Sequence, residues 1–524
     1  MTRTLLVICT VLSLLSGCGT DSFPPASVIP EHQQNNPWYR QGRDEIGTRG
    51  APTGVAKNVV LFVGDGMGIS TVTAARILAG QRAGMSGEEH QLSFERFPFT
   101  GLAKTYNVDA QTPDSAGTMS AMMTGVKTDF GVFGIDEDVR RGDCGSAEGN
   151  GLVTALELAE IAGKSTGLVS TARLTHATPA ATYAHSVERD WEDDSTLPAE
   201  ALAAGCSDIA RQFVDFRQRL ARRYPEARID GIDIALGGGR ANFLPVEGSE
   251  RGSGRRGDAD LVGLWLEENP DGHYVSDRET LLAAPPTGPL FGLFSDSHMN
   301  YEGDRPDAQP SLTDMTLAAL ERLVKNTNGF FLMVEGGRID HAHHAGNAAG
   351  ALGETIELAR AVKAAVERLD PANTLIIVTA DHSHTLTMGG YPRRGNPILG
   401  KVVLPGEEQP ALAEDGLPYT TLGYRDGLGF RNFGGETNSD VAYEQPPSTG
   451  RVDLTDVDTT APGFHQTALV PTEAETHGGE DVAVYAIGPG AAAVSGVQEQ
   501  SNIFHVVNAA VGLDIAASAA LADR

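Results

Sequence analysis

Short runs of apolar, mostly β-branched residues recur at 59–63, 167–170, 232–236, 330–334, 375–379 and 482–487. Continuous apolar runs of this length predict strands buried on both faces of a parallel sheet. Between them, 152–162, 312–324 and 351–369 place apolar residues at roughly helical spacing, predicting amphipathic helices that cover the sheet. The predicted class is therefore α/β, a central mostly parallel sheet flanked by helices. Two stretches break the alternation, 246–289 and 383–475, both rich in Gly, Pro and polar residues with weak periodicity. They predict insertions decorating one sheet, within a single catalytic body spanning 52–524. The Pro-, Gln-, Asn- and Gly-rich composition of 18–51 predicts a tether.

The first seventeen residues change the picture of where the body resides. Arg3 precedes an apolar stretch, 5–15, too short to span about 30 Å of hydrocarbon, which predicts a secretory signal over 1–17. Leu15-Ser16-Gly17-Cys18 resembles the lipobox of bacterial lipoproteins. That implies lipidation of Cys18, a membrane anchor, and residence in the periplasm or at the outer membrane. With Cys9 in the signal and Cys18 in the lipobox, Cys144 and Cys206 remain as a pair in an oxidising compartment, predicting a disulfide. Closing a loop of that size contributes about 4 kcal/mol in the chain-entropy account. Of 524 residues, 40 % are hydrophobic, which excludes disorder and collagen. Forty Lys and Arg against 69 Asp and Glu leave a formal charge of −29, a surface that repels nucleic acid at long range. A phosphorylated ligand is not excluded, because screening over about 8 Å lets local charge decide.

In open parallel sheets, ligands bind beyond the carboxyl ends of the strands. Asp65 follows the first predicted strand, Glu335 the fourth, and Asp381-His382 the fifth. Carboxylates gathered there repel one another unless cations sit among them. Gly64 to Gly68 has the wrong spacing for a dinucleotide turn, and Asp65 would repel a pyrophosphate; with a metal, the same Asp65 becomes a ligand. Asp340 and His344 lie one helical turn apart, and His477 can complete a carboxylate and imidazole set suited to zinc. His341, His343 and His384 are further imidazoles without an assigned partner. Ser115 follows Pro113-Asp114 at a predicted helix start, where unpaired N–H groups favour anions; it is either a nucleophile or an ordinary N-cap. No Gly-x-Ser-x-Gly elbow surrounds it, so its activation is assigned to a metal.

Asp65, Asp114-Ser115-Ala116, Asp340, His344, Asp381-His382 and His477, in this order, resemble the alkaline phosphatases, and the animal-type branch at Gly336-Gly337-Arg338 and His341. The resemblance runs over 36–513. It implies one zinc on Asp340, His344 and His477, a second on Asp65, Asp381 and His382, and a magnesium on Asp65, Thr178 and Glu335 with His176 nearby. It further implies Arg189 as the phosphate clamp, Trp191 behind the magnesium ligands, a Cys144–Cys206 disulfide and a homodimer in which 383–475 forms a crown over the entrance. Ser295 and Gln309 stand where vertebrate members carry calcium ligands, so calcium is not expected. The implied activity is hydrolysis of phosphate monoesters through a phosphoserine. A sulfatase is disfavoured by the residues after Ser115. A phosphodiesterase and a lipoprotein that captures metal or phosphate remain as rivals.

Overall fold

A computed structural model describes residues 27–49, 55–246, 254–257, 259–427, 431–432 and 451–522. The predicted signal at 1–17 and Cys18 lie outside these residues. Ten strands form one sheet: β1 Asn58–Gly64, β2 Phe99–Lys104, β3 Ser165–Arg173, β4 Ile234–Gly238, β5 His273–Val275, β6 Leu290–Leu293, β7 Phe330–Gly336, β8 Thr374–Ala380, β9 Val482–Ile487 and β10 Gly496–Glu499. Their order across the sheet is β10-β2-β9-β8-β1-β7-β3-β4-β6-β5. The middle strands are fully buried, as continuous apolar runs require when helices cover both faces. Helix Leu312–Leu323 starts at a capping box of Ser311 and Asp314, and helix Ala348–Arg368 is capped by Asn347.

Three expectations are corrected. The run 482–487 is a strand, but it lies antiparallel between β2 and β8 rather than parallel. The chain leaves β8 at the carboxyl edge of the sheet, passes through 383–475 beside that edge, and re-enters from it, so β9 must run the other way. Residues 246–289 do not merely decorate the sheet: they supply β5, which pairs with β6 at the sheet's end. Three residues, of which only Val275 is buried, are too few to show a strand period.

The third correction concerns the tether. Its described part folds into helices Glu31–Asn35 and Pro37–Thr48 packed on the body. Asn36 caps the second helix ahead of Pro37, so residues that suit a linker here start a helix. The buried Gln33 amide donates to the carbonyls of Thr124 (2.8 Å) and Val153 (3.1 Å) and accepts from Val153 N–H (2.7 Å). Tyr39 stacks edge-on against His505, with ring centroids 4.6 Å apart.

In the crown region, strands Leu386–Met388, Leu422–Gly427 and Ala468–Pro471 form a small separate sheet. A further two-residue pairing sets His384 opposite His477. One continuous core underlies the large sheet. A satellite cluster of Val132, Ile135, Val139, Val187, Trp191 and Ala201 packs beside the Cys144–Cys206 disulfide, which is formed. Among the described residues, no single helix is long and apolar enough to cross a membrane.

Candidate metal centre and nucleophile

The order β8-β1-β7-β3 puts four carboxyl ends side by side, with Gly64 level with both Ala380 and Gly336, and Ser170 level with Glu335. Asp381, Asp65 and Glu335 therefore emerge at adjacent points of one edge. Gly66 has φ +68°, and a Cβ there would meet the His384 ring at 2.4 Å. Only glycine lets the turn after β1 approach so closely. Gly66 N–H in turn donates to Asp381 (2.9 Å).

Three groups of side chains converge there. In the first, Asp340 Oδ1 lies 3.3 Å from His344 Nε2 and 3.4 Å from His477 Nε2, and the two Nε2 atoms are 3.1 Å apart. His344 Nδ1 donates to the carbonyl of Glu475 (2.6 Å) and His477 Nδ1 to that of Pro113 (2.7 Å). A carbonyl only accepts, so each Nδ1 carries the proton and each Nε2 presents a lone pair to the cluster. In the second, His382 Nε2 lies 3.4 Å from both Asp65 Oδ1 and Asp381 Oδ2. Its Nδ1 faces the Ser383 carbonyl at 3.2 Å. The third gathers Asp65, His176 and Glu335.

The electrostatics call for cations. Burial, together with Asp340, Asp381 and Glu335, pushes the Asp65 carboxyl well above the usual carboxylate range. Burial likewise raises Glu335 to about 8 and Asp381 to about 6. Buried Asp65 Oδ2, Asp381 Oδ2, Glu335 Oε1, Thr178 Oγ1 and His176 Nδ1 have no hydrogen-bond partner. Orphaned polar atoms are rare in protein interiors, and these are acceptors or lone-pair donors pointing into the same small region. Burial and Arg189 hold the His176 imidazole neutral, its pKa lowered to about 3.

Ser115 is not an N-cap. Asp114 caps helix Ser115–Thr124 by accepting from Gly117 N–H, and Ser115 is the first helical residue. Its hydroxyl is thus free to lie 3.1 Å from His382 Nε2 and 3.4 Å from Asp65 Oδ1. Asp114 also accepts from Asn107 (2.8 Å), Gly131 N–H (3.0 Å) and Arg189 Nη1 (2.8 Å). Burial alone would raise this carboxyl, but Arg189 and the backbone donors hold it below the usual range. One carboxylate therefore fixes both the serine's helix and the guanidinium beside it, a role that sequence reading did not assign.

Other imidazoles sort by partner. His384 faces Asp340 with Nε2 (2.7 Å) and Glu475 with Nδ1 (2.5 Å). Although burial opposes it, Glu475 and Asp340 keep this ring protonated, pushed up to about 10. It lies with Asp340, His344 and His477 in the first group, and its contact with Asp340 orients that carboxylate. His343 is held in the core between Thr71 and the Tyr424 hydroxyl. His341 packs against His298 with centroids 3.9 Å apart and His176 at 5.3 Å. Ser170, within β3 opposite Glu335, donates to that carboxylate and was missed, since one serine in an apolar run carries no signal. Trp191 packs in the satellite cluster with Val132, Ile135, Val139, Val187 and Ala201.

A sequence model of the alkaline phosphatase family, "Alkaline phosphatase", matches residues 56–513. The chain is 43% identical over 501 residues to the tissue-nonspecific alkaline phosphatase isozyme of Gallus gallus, covering 92% of this chain and 90% of that one. It is 41% identical to the Homo sapiens isozyme, covering 92% and 89%. Among solved structures, the Thermus thermophilus alkaline phosphatase superposes with a TM-score of 0.61 at 23% identity over 95% of this chain and 100% of that one. The alkaline phosphatase from the Antarctic bacterium TAB5 gives 0.58 at 19% identity over 88% and 99%. With strand-end carboxylates, a capped serine and a match running from β1 to the helix after β10, the chain belongs to the alkaline phosphatase family.

Proposed function

We propose that this protein is a metal-dependent phosphomonoesterase that works through a phosphoserine on Ser115, with two zinc ions and one magnesium ion. The observation that carries this reading is the Ser115 hydroxyl at a helix N-terminus, beside His382 and Asp65 and next to Arg189. The donor sets fit the ions. Ligands about 2.0–2.1 Å from a tetrahedral zinc stand roughly 3.3 Å from one another, and the donor separations among Asp340, His344 and His477 are 3.1 to 3.4 Å. Those around His382 are 3.4 Å. Asp65, Glu335 and Thr178, with orphaned oxygens, suit magnesium, a hard cation that takes oxygen ligands; His176 stands close by.

When bound, such cations lower the pKa of the serine hydroxyl and of the attacking water and neutralise charge on the departing oxygen. Ser115 Oγ attacks phosphorus opposite the ester oxygen; the Oγ–P bond forms as the P–O bond to the alcohol breaks. Water then attacks from the side the alcohol left, releasing inorganic phosphate and restoring the hydroxyl. The helix N-terminus directs N–H groups toward the phosphoryl oxygens. Arg189, oriented by Asp114, presents its planar fork to two of them. Replacing Arg189 by Ala is expected to weaken inorganic phosphate binding about tenfold to a hundredfold and to lower kcat/KM. Unchanged phosphate affinity in calorimetry would remove the clamp role.

Export with a lipid anchor on Cys18 belongs to the same reading, supported by Leu15-Ser16-Gly17-Cys18, as does a homodimer. The function is tested with purified protein on p-nitrophenyl phosphate and bis(p-nitrophenyl) phosphate. A diester lacks one terminal oxygen for Arg189 and the cations to hold. The monoester is therefore expected to be favoured in kcat/KM by about a hundredfold or more. Preference for the diester would make the enzyme a phosphodiesterase, and phosphate or metal binding without turnover would make it a capture protein.

A further inference from the structure

Ser115 and its helix are buried, so the alcohol half of a bound ester extends away from them. A cavity of about 960 Å³ opens at His344 and His477 and is lined also by Thr112, Phe130, Arg425 and Glu480. That is the upper end of the volume that holds a drug-sized ligand, far more than a phosphate needs. Among the described lining residues, Arg425 is the only arginine or lysine. The acids there are occupied: Glu475 bonds His384 and Thr385, and Glu480 accepts from Ser383.

Arg425 is held where it stands. Its backbone N–H meets the Thr385 carbonyl at 3.4 Å, and the flanking strand pairs Tyr424 with Leu386. One guanidinium nitrogen bonds Asp426 at 3.0 Å; buried Asp426 in turn accepts from Thr476 N–H at 3.0 Å, one residue before His477. The side chain is nonetheless 68% exposed and lines the cavity. In a chain with a formal charge of −29, an anion on the leaving group meets repulsion over most of the surface and a fixed cation here.

Building on the phosphomonoesterase reading, we propose that Arg425 is a specificity-determining residue that selects phosphate monoesters whose leaving group bears a second anionic group, a carboxylate or another phosphate. The guanidinium binds that distal anion while the reacting phosphoryl group sits at Ser115. Arg425 touches no reacting atom, so its effect falls on KM.

The test compares matched pairs on the metal-loaded full chain: para-carboxyphenyl phosphate against phenyl phosphate, and propanediol bisphosphate against propyl phosphate. The ratio of kcat/KM within each pair is read for the wild type, Arg425→Gln and Arg425→Lys. In at least one pair, Arg425→Gln is expected to lower the ratio about fivefold, through KM, as suits one exposed ionic contact. Arg425→Lys should retain part of the preference, and raised salt should erase it. The pair that responds identifies the anion. Ratios unchanged in both pairs overturn the proposal, even with phenyl phosphate turned over normally. No turnover of phenyl phosphate by the wild type would instead sink the phosphomonoesterase reading itself.

Discussion

Ser115→Ala is expected to abolish nearly all turnover while leaving the fold, metal binding and phosphate binding in place. The hydroxyl is buried and bonds only His382 and Asp65 at the site, so its loss costs the fold about 1 kcal/mol. Helix capping survives because Asp114, not Ser115, supplies it. With no oxygen to form the covalent bond, hydrolysis must proceed by direct attack of water. Loss of the nucleophile in an enzyme of this kind costs roughly 10³- to 10⁶-fold in kcat. The measurement is steady-state turnover of p-nitrophenyl phosphate, with phosphate affinity from calorimetry. Rapid acid quench of the wild type should trap phosphate on Ser115, and the variant should trap none. A variant that keeps near-normal kcat would remove Ser115 from the mechanism.

The second large effect is expected from stripping metals. Activity should vanish on dialysis against a chelator and return fully only when zinc and magnesium are restored together, because Asp65 belongs to two of the three clusters. Stability should fall as well, by about 4 kcal/mol for each ion held at a thousandfold its Kd. The loss should depend on pH in a defined direction. In the metal-free site, Glu335 is raised to about 8 and Asp381 to about 6, above their unfolded values. A carboxyl whose folded pKa is raised binds its proton more tightly when folded. Its stabilising contribution is therefore complete at acid pH and is lost as pH climbs through the folded value. The stripped protein should lose melting temperature between about pH 5 and 8 relative to the loaded one. Full activity after exhaustive chelation, or a stripped protein whose relative stability rises over that window, would contradict the metal centre.

Much of the architecture was legible because buried parallel strands announce themselves as continuous apolar runs. The carboxylates that end such runs, Asp65, Glu335 and Asp381, fall at one edge by the geometry of parallel pairing alone. The rest of the sheet was less legible. The three residues of β5 and the four of β6 are too short for a period, and the direction of β9 is invisible in an all-apolar run. The N-terminal helices hid behind a linker-like composition because their attachment rests on scattered contacts, among them buried Val28, Ile29, Gln33 and Tyr39, that form no apolar period.

By itself, then, the sequence determined the class of fold, the family, and which side chains stand at the strand ends, since these depend on local pattern and on motifs contiguous in the chain. Tertiary structure decided what those side chains do. The pairing of 383–384 with 477–478 carries His477 to Asp340 across more than a hundred residues. Asp114 takes the capping role and so frees Ser115. His384 is set between two carboxylates, Asp340 and Glu475, and orients Asp340. A side chain's protonation and hydrogen-bond partner depend on neighbours brought in from elsewhere in the chain, and those neighbours exist only once the chain has folded.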